Sequence, residues 1–255
     1  MIYVDAEQGK EQKEMKDLHG KVALITGASG GIGTALAKRL AQCGIDLVLC
    51  GRSAEKLEKT RSAVAEYGVK TYLYTGDLTA DGAPQACIDA AVEAMGRVDI
   101  LINNAGMALS CPYEQTTQAQ FDAIMATNVR VPYFLCQAAL PVLRRSDHAT
   151  IINIASVVAH KGYPLQSAYA ASKHALLGLS KSLANEVYQE GIRVHVIAPG
   201  AVFTDMVRIA RPDLTEEGMI LPEDIAEVAA FFIYHRTNAV VDEIQVHRAG
   251  KAPFA

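Results

Sequence analysis

A short, entirely apolar run near the start of the chain constrains the fold more than any other feature. Residues 22–25 read Val-Ala-Leu-Ile and lead into the turn sequence Thr-Gly-Ala-Ser-Gly-Gly-Ile-Gly, which ends at Gly33. A strand that is apolar on both faces is typical of a parallel sheet with helices on each side. After the turn, apolar residues recur at helical spacing until Gly44. This region therefore predicts a buried strand, a glycine-rich turn and a helix.

The alternation of strand and helix continues along the chain. Further strands are predicted at 45–50, 70–75, 98–102, 150–154, 193–197 and 243–246, and helices at 53–67, 84–95, 117–127, 130–144, 169–190 and from Pro222 onwards. This order predicts an α/β fold with right-handed crossovers, a doubly wound parallel sheet of about seven strands with helices on both faces. No linker or repeat divides residues 20–255, so we expect one domain preceded by a polar extension, residues 1–19.

Composition argues against several classes of function. The formal net charge is −4, which gives no basic surface for nucleic acid, and we find no apolar run long enough to span a bilayer. The cysteines form no C-x-x-C pair and the histidines no H-E-x-x-H motif, so neither a disulfide framework nor a metal site is expected. Scattered single thiols suit a reducing cytosol. Residues 1–19 also lack the apolar core of a signal peptide, so we expect a cytoplasmic protein.

The glycine-rich turn is the first place to look for a ligand. In an open parallel sheet, ligands bind beyond the carboxyl ends of the strands where the strand order reverses. Gly27, Gly31 and Gly33 would let the backbone approach a pyrophosphate at the positive end of a helix. The spacing differs from G-x-G-x-x-G, and turns use glycine for other reasons too. The position between a buried strand and a helix nevertheless favours nucleotide binding.

The end of the second predicted strand bears on the choice of cofactor. An acid at this point would bind the ribose 2′-hydroxyl of NAD, but the chain reads Leu49-Cys50-Gly51-Arg52-Ser53 and has no acid there. Arg52 offers a guanidinium fork suited to a 2′-phosphate, with Ser29 and Ser53 as further donors. Arg52 could instead be a solvated loop charge. We expect NADP to be preferred over NAD.

Tyr169 and Lys173 are the strongest candidates for proton chemistry. If 169–190 is helical, the two side chains share one face. A phenol titrates near ~10 in water, so it needs a nearby cation to work at neutral pH. Ser156, at the end of a predicted strand, could hold a substrate oxygen. Taken alone, the pair favours a packed tyrosine and a solvated lysine, and the rest of the chain must decide.

The assembled motifs resemble those of the short-chain dehydrogenase/reductase family. In chain order they are Thr26-Gly-x-x-x-Gly-x-Gly33, Asp77-Leu78, Asn103-Asn-Ala-Gly106, Asn128, Ser156, Tyr169-x-x-x-Lys173 and Pro199-Gly200. The resemblance covers about residues 21–246. It implies a Rossmann-type sheet, a nicotinamide cofactor and interconversion of an alcohol with a ketone or aldehyde, a 3-oxoacyl compound being one candidate. It also implies a homodimer or homotetramer, paired through the helices at 130–144 and 169–190.

The resemblance further implies a role for each matching residue. Tyr169 would be the general acid or base, Ser156 would hold the substrate oxygen, Lys173 would bind the nicotinamide ribose and lower the Tyr169 pKa, and Asn128 would complete a proton relay. Asp77 and Leu78 would flank the adenine, and Val202 and Thr204 would meet the nicotinamide carboxamide. The full cofactor set is Gly27, Ser29, Gly31, Ile32, Gly33, Arg52, Asp77, Leu78, Asn104, Ala105, Gly106, Tyr169, Lys173, Pro199, Gly200, Val202 and Thr204.

Two regions depart from the family pattern or stay open. Residues 240–255 lack the glycine-rich ending of many members, which puts the usual contacts across a tetramer in doubt. Residues 205–221 are expected to form a short substrate lid, whose basic side chains would suit an acyl-carrier or carboxylated substrate, or would be solvated. Two other functions compete with the oxidoreductase. A non-catalytic NADP sensor would be expected to have lost the tyrosine or lysine, and a family-fold epimerase or dehydratase normally carries a longer substrate domain.

Overall fold

The computed structural model describes residues 18–205, 207 and 215–250. Its strands form one seven-stranded sheet in the order β3-β2-β1-β4-β5-β6-β7, and every pairing is parallel. The strands are β1 Val22–Thr26, β2 Asp46–Gly51, β3 Thr71–Thr75, β4 Ile100–Asn103, β5 Thr150–Ile154, β6 Arg193–Pro199 and β7 Glu243–Val246. The predicted doubly wound α/β fold is confirmed.

Helices cover both faces of the sheet. They are α1 Gly31–Gln42, α2 Ala54–Val64, α3 Ala83–Met95, α4 Gln118–Met125, α5 Val131–Leu143, α6 Ser167–Val187 and α7 Pro222–Tyr234. Alternate residues of β1 enter different cores, because successive side chains of a strand point to opposite faces. Ile25 packs in the layer under α1, α2 and α7, while Leu24 packs in the layer under α3 and α5. No helix in this part of the chain is both long and apolar enough to span a membrane.

The helices predicted at 117–127 and 130–144 are joined by a turn of π-helix, Ala126–Arg130. In a regular α-helix the carbonyl of Asn128 would accept a hydrogen bond from residue 132, which is a proline and has no N–H. The wider turn thus occurs where the regular ladder is already broken. Single π-turns of this kind are frequent at functional sites.

Three predicted boundaries are revised. The helix predicted from Tyr169 begins at Ser167, which places Tyr169 inside its first turn, and β6 continues to Pro199. Leu18, which the sequence assigned to the polar extension, is only 2% exposed and belongs to the core under α1. The rest of the extension, and residues 206 and 208–214 of the predicted lid, lie outside the described residues.

Candidate active site

The site lies at the carboxyl edge of the sheet, where the strand order reverses between β1 and β4. From β1 the chain builds outward through β2 to β3, then returns to β4 on the other side of β1. Neighbouring crossovers leave in opposite directions at this point and open a crevice for ligands. The predicted cofactor and catalytic motifs follow β1, β4, β5 and β6, so the topology places them along one edge.

The turn after β1 is packed so closely that only glycine fits at two of its positions. Gly27 has a left-handed φ of +62°, and a Cβ added there would lie 2.9 Å from the Ala105 Cα. A Cβ added at Gly33 would lie 2.1 Å from the Gly27 carbonyl oxygen. The turn therefore lies directly against the first turn of α1, whose leading N–H groups lack intrahelical partners. This arrangement suits an anionic group.

The Asn103-Asn-Ala-Gly106 segment ties the turn to the neighbouring strands. Backbone N–H groups of Asn104 and Ala105 both donate to the Thr26 hydroxyl at 3.0 Å, and the Asn104 amide donates to the Thr26 and Gly27 carbonyls. Asn103, buried at the end of β4, donates to the Asn153 side chain on β5 at 2.8 Å. These bonds give the segment a structural role, because they hold the turn after β1 and the ends of β4 and β5 together.

The cofactor residues at the tips of β1 and β2 are neighbours in space. A Cβ added at Gly51 would lie 3.4 Å from the Ser29 hydroxyl oxygen, so Ser29 borders the backbone that leads into Arg52. The Arg52 side chain is exposed at the surface. The hydroxyl of Ser53 accepts a hydrogen bond from the Lys56 N–H and caps α2.

Asp77 lies beyond β3 within the electrostatic reach of Arg52. Two hydrogen bonds from Thr79, one from its N–H and one from its hydroxyl, hold the Asp77 carboxylate in a turn and lower its pKa, and the Arg52 charge lowers it further. Leu78 is 9% exposed and packs in the core layer under α3, while Ile32 is only partly buried at the start of α1. Asp77 therefore stabilises the turn that follows β3.

Ser156, Tyr169 and Lys173 converge beyond the end of β5. Ser156 is 8% exposed, and its hydroxyl donates to the Pro199 carbonyl at 3.2 Å. Lys173 is 5% exposed, and its ammonium donates to the Ile154 carbonyl at 2.8 Å. The ammonium lies 5.8 Å from the centre of the Tyr169 ring, as expected for side chains on successive turns of α6. The predicted catalytic face is thus formed.

Burial moves the pKa values of the two groups in opposite directions. It raises the pKa of the Tyr169 phenol above its usual value, and a hydrogen bond with Ser156 acts against this rise. It lowers the pKa of the Lys173 ammonium to about 8. The prediction that Lys173 lowers the Tyr169 pKa is not seen in the structure, where Ser156 is the group that favours the phenolate.

Asn128 is fully buried in the π-helical turn and joins three parts of the site. Its carboxamide exchanges two hydrogen bonds with the Met107 backbone, both at 2.9 Å, and donates to the Ser172 hydroxyl at 3.0 Å. Ser172 in turn donates to the Tyr169 carbonyl at 2.7 Å. A Cβ added at Gly106 would lie 3.4 Å from Asn128 Oδ1 and 3.7 Å from Lys173 Nζ. Sequence reasoning missed Ser172, although its place between the tyrosine and the lysine marked it for the same helical face.

The segment after β6 completes the edge. A Cβ added at Gly31 would lie 3.0 Å from the Thr204 methyl group. The glycine-rich turn after β1 therefore contacts the segment that is predicted to bind the nicotinamide. Val202 pairs with Ile220 in an isolated parallel bridge, which fixes the two ends of the predicted lid to each other. Gly200 donates to the Val246 carbonyl at 2.8 Å and ties this segment to β7.

Comparison with known proteins agrees with this geometry. The family model described as "short chain dehydrogenase" matches residues 21–215. The chain belongs to the short-chain dehydrogenase/reductase family. Its members catalyse oxidoreductions with a nicotinamide cofactor, so the protein is an oxidoreductase of this family.

Individual relatives span most of the chain. Levodione reductase from Leifsonia aquatica is 36% identical over 200 residues, which cover 77% of this chain and 75% of the relative. A 3-oxoacyl-[acyl-carrier-protein] reductase from Chlamydia pneumoniae is 30% identical over 222 residues, covering 84% and 90% of the two chains. The crystal structure of a metagenomic short-chain oxidoreductase in complex with NADP superposes with a TM-score of 0.81 at 33% identity, covering 92% of this chain and all of that one.

Proposed function

We propose that this short-chain dehydrogenase/reductase interconverts a ketone or aldehyde with the corresponding alcohol, using NADP(H) and Tyr169 as the general acid or base. The observation that carries the proposal is the burial of the Lys173 ammonium 5.8 Å from the centre of the Tyr169 ring, at the end of β5 where Ser156 follows. A packed tyrosine beside a solvated lysine would not bury the ammonium. The names of the two relatives, both reductases, agree with this reaction type.

Each catalytic group has a role that follows from its surroundings. In the direction of reduction, the hydroxyls of Ser156 and Tyr169 hydrogen-bond the carbonyl oxygen and stabilise the negative charge that develops on it. Tyr169 then transfers its proton to that oxygen, and in oxidation it accepts the proton. Desolvation keeps the phenol protonated, which suits its use as an acid. NADPH, when bound, supplies the hydride.

Lys173 and Asn128 support the tyrosine in different ways. With a pKa of about 8, the Lys173 ammonium is largely protonated at neutral pH and can both bind ribose hydroxyls and stabilise a phenolate. Asn128 holds Ser172, which accepts from the asparagine amide and donates to the Tyr169 carbonyl. This chain of hydrogen bonds fixes the start of α6. The Asn128 carbonyl, released from regular α-helical pairing, is suited to continue a proton relay.

The residues at the opposite end of the crevice fit NADP. The closely packed turn at Gly27 and Gly33 leaves backbone N–H groups for a pyrophosphate, and the exposed Arg52 beside Ser29 offers donors for a 2′-phosphate. NADP in a structural neighbour supports the same choice. Binding of NADPH and NADH to the wild type, followed by nicotinamide fluorescence, tests it.

Arg52→Met should weaken NADPH binding by roughly tenfold to a hundredfold, the usual worth of charged hydrogen bonds, and leave NADH binding within about twofold. The matched control is Arg61→Met, since Arg61 is paired with Glu58 on the outer face of α2 and does not adjoin the turn. Tighter binding of NADH than of NADPH by the wild type would overturn the NADP assignment. Equal losses for both cofactors in Arg52→Met would overturn the role of Arg52.

Two specific observations bear on the alternatives and on assembly. A sensor has no need of a buried ammonium beside a tyrosine ring, so turnover with NADPH and a panel of ketones and aldehydes separates enzyme from sensor. Tyr133 and Phe134 on α5 are 53% and 42% exposed, and their rings lie 5.3 Å apart. This apolar surface supports the proposal of a homo-oligomer paired through α5 and α6, which sedimentation of the wild type and Tyr133→Asp would test.

A further inference from the structure

Arg248 is a charged side chain that the proposed reaction does not use. It follows the last strand and is partly buried, and among the described residues its one hydrogen bond runs from its Nη1 to the Met219 sulfur at 3.3 Å. A thioether is a weak acceptor, whereas a guanidinium carries five N–H donors and a full charge. Within the described part of the chain, no carboxylate oxygen lies within 4.0 Å of this guanidinium. Partial burial of a cation without an anion is unfavourable.

Hydrogen bonds place Arg248 at the catalytic edge of the sheet. β7 pairs with β6 so that Val246 lies opposite Pro199, and the Pro199 carbonyl accepts the hydrogen bond from Ser156. Arg248 comes two residues after Val246, and an extended chain advances only about 3.3 Å per residue. Arg248 therefore follows the same carboxyl edge of the sheet as Ser156, and its guanidinium lies at the base of the predicted lid, where Met219 is 9% exposed.

The lid base itself does not neutralise this charge. Met219 directly precedes Ile220, which forms a β-bridge with Val202. The sulfur that contacts Arg248 therefore belongs to the C-terminal end of the predicted lid. Glu216 and Glu217, which come shortly before Met219, are both exposed and form no ion pair with Arg248. One donor of the guanidinium meets the weakly accepting Met219 sulfur, and no other described residue accepts from the remaining donors, which can therefore bind a ligand beside Met219 and the end of β7.

We propose that Arg248 binds a carboxylate of the substrate, so that the enzyme prefers oxo acids, or their hydroxy acid products, over neutral carbonyl compounds. The planar guanidinium fork matches a carboxylate through two parallel hydrogen bonds. This inference rests on the proposed function, because it assigns the substrate class of the same site. It also gives a use to the C-terminal segment, whose sequence departs from the family pattern.

Matched pairs of substrates test the proposal. Acetoacetate with methyl acetoacetate, and levulinate with methyl levulinate, differ only in the charge of one end. The measurement is the ratio of kcat/KM for acid and ester with NADPH. We expect the wild type to prefer the acid in at least one pair. In Arg248→Met that ratio should fall by roughly tenfold to a hundredfold, the effect of losing a charge-assisted bidentate contact.

Two further variants keep the result interpretable. Arg144→Met removes a surface arginine that pairs with Glu190 at the far end of α5, and its ratio should stay within about twofold of the wild type. Arg248→Lys keeps the charge but loses the fork, so it should retain part of the acid preference, even if the methionine variant folds poorly. Equal ratios in the wild type and Arg248→Met, or faster turnover of both esters by the wild type, would overturn the proposal. Failure to reduce any carbonyl compound would instead refute the proposed function and, with it, this inference.

Discussion

The closest contact in the cofactor turn offers a direct test of how the site is built. Gly33 lies in the first turn of α1, and an alanine Cβ there would lie 2.1 Å from the Gly27 oxygen and 2.7 Å from the Ala28 Cα. A carbon and a carbonyl oxygen normally approach no closer than about 3.3 Å, so the turn and the helix must separate by about 1 Å. The turn has no room to move away from the helix, because Gly27 is already packed against the Ala105 backbone.

The cost of this separation can be estimated from general experience with overpacked sites. Forcing one methyl group into a well-packed region costs about 1–3 kcal/mol of folding stability. Cofactor binding should suffer as well, since a misplacement of about 1 Å at a functional site can cost about a hundredfold. We therefore expect Gly33→Ala to remain folded and to bind NADPH at least ten times more weakly.

The assay combines urea unfolding with a fluorescence titration of NADPH, carried out under conditions where each variant is fully folded. Gly30→Ala is the matched control, because Gly30 has an ordinary φ of −87° and a Cβ there would meet its nearest atom, the Gly27 oxygen, at 3.5 Å. Its NADPH affinity should stay within about threefold of the wild type, since only an N-cap preference changes. Wild-type affinity in Gly33→Ala, or equal losses in both variants, would refute the account of the turn.

Two further predictions concern stability. His195 is 2% exposed, its Nδ1 is paired with the Val241 carbonyl, and burial lowers its pKa from 6.5 to about 4. Between pH 6.5 and pH 4 this histidine is therefore protonated in the unfolded chain but neutral in the folded chain. Its contribution should lower the free energy of unfolding by about 3 kcal/mol between pH 7 and pH 4. Leu165 has a left-handed φ of 65° and is 51% exposed. Leu165→Asn should raise the free energy of unfolding by about 0.5–1 kcal/mol, because asparagine adopts this conformation at a lower cost.

The predictions for His195 and Leu165 each have a matched control. His195→Gln keeps a donor for the Val241 carbonyl and removes the titration, so its urea stability should fall less steeply with acid; identical pH slopes in the two proteins would contradict the assignment. For Leu165, the control is Val240→Asn, at a residue of similar exposure, 50%, without the left-handed backbone. A gain in both variants, or a loss at Leu165, would show that the backbone conformation is not the cause.

The strand and helix order could be predicted because it depends on local patterns. Few folds combine a fully apolar strand with a glycine-rich turn directly after it. The structure has both features at the predicted positions, the strand at Val22–Thr26 and the turn before the helix that begins at Gly31. The catalytic group of Ser156, Tyr169 and Lys173 was also legible, because helical spacing brings the last two together. These features depend on residues that are close together in the sequence.

Features that depend on contacts between distant segments were not predictable. The sulfur atoms of Cys50 and Cys87 lie 3.9 Å apart across β2 and α3, although the sequence shows only scattered thiols. The contact between Arg248 and Met219 likewise requires β7 and the end of the lid to meet. The burial of the Tyr169 hydroxyl was likewise not predictable, because helical spacing gives the distance to Lys173 but not the desolvation that raises the Tyr169 pKa.

The central claim is that Tyr169 supplies the proton for reduction of a carbonyl by NADPH. It is tested most directly by the rate of NADPH oxidation in a single turnover, with a carbonyl substrate that the wild type reduces, comparing the wild type with Tyr169→Phe. Removing a general acid of this kind should slow the reaction by about a hundredfold to ten-thousandfold. The dissociation constant for NADPH should change little, because the phenyl ring keeps its place in α6. A Tyr169→Phe variant that oxidises NADPH at close to the wild-type rate would contradict the claim.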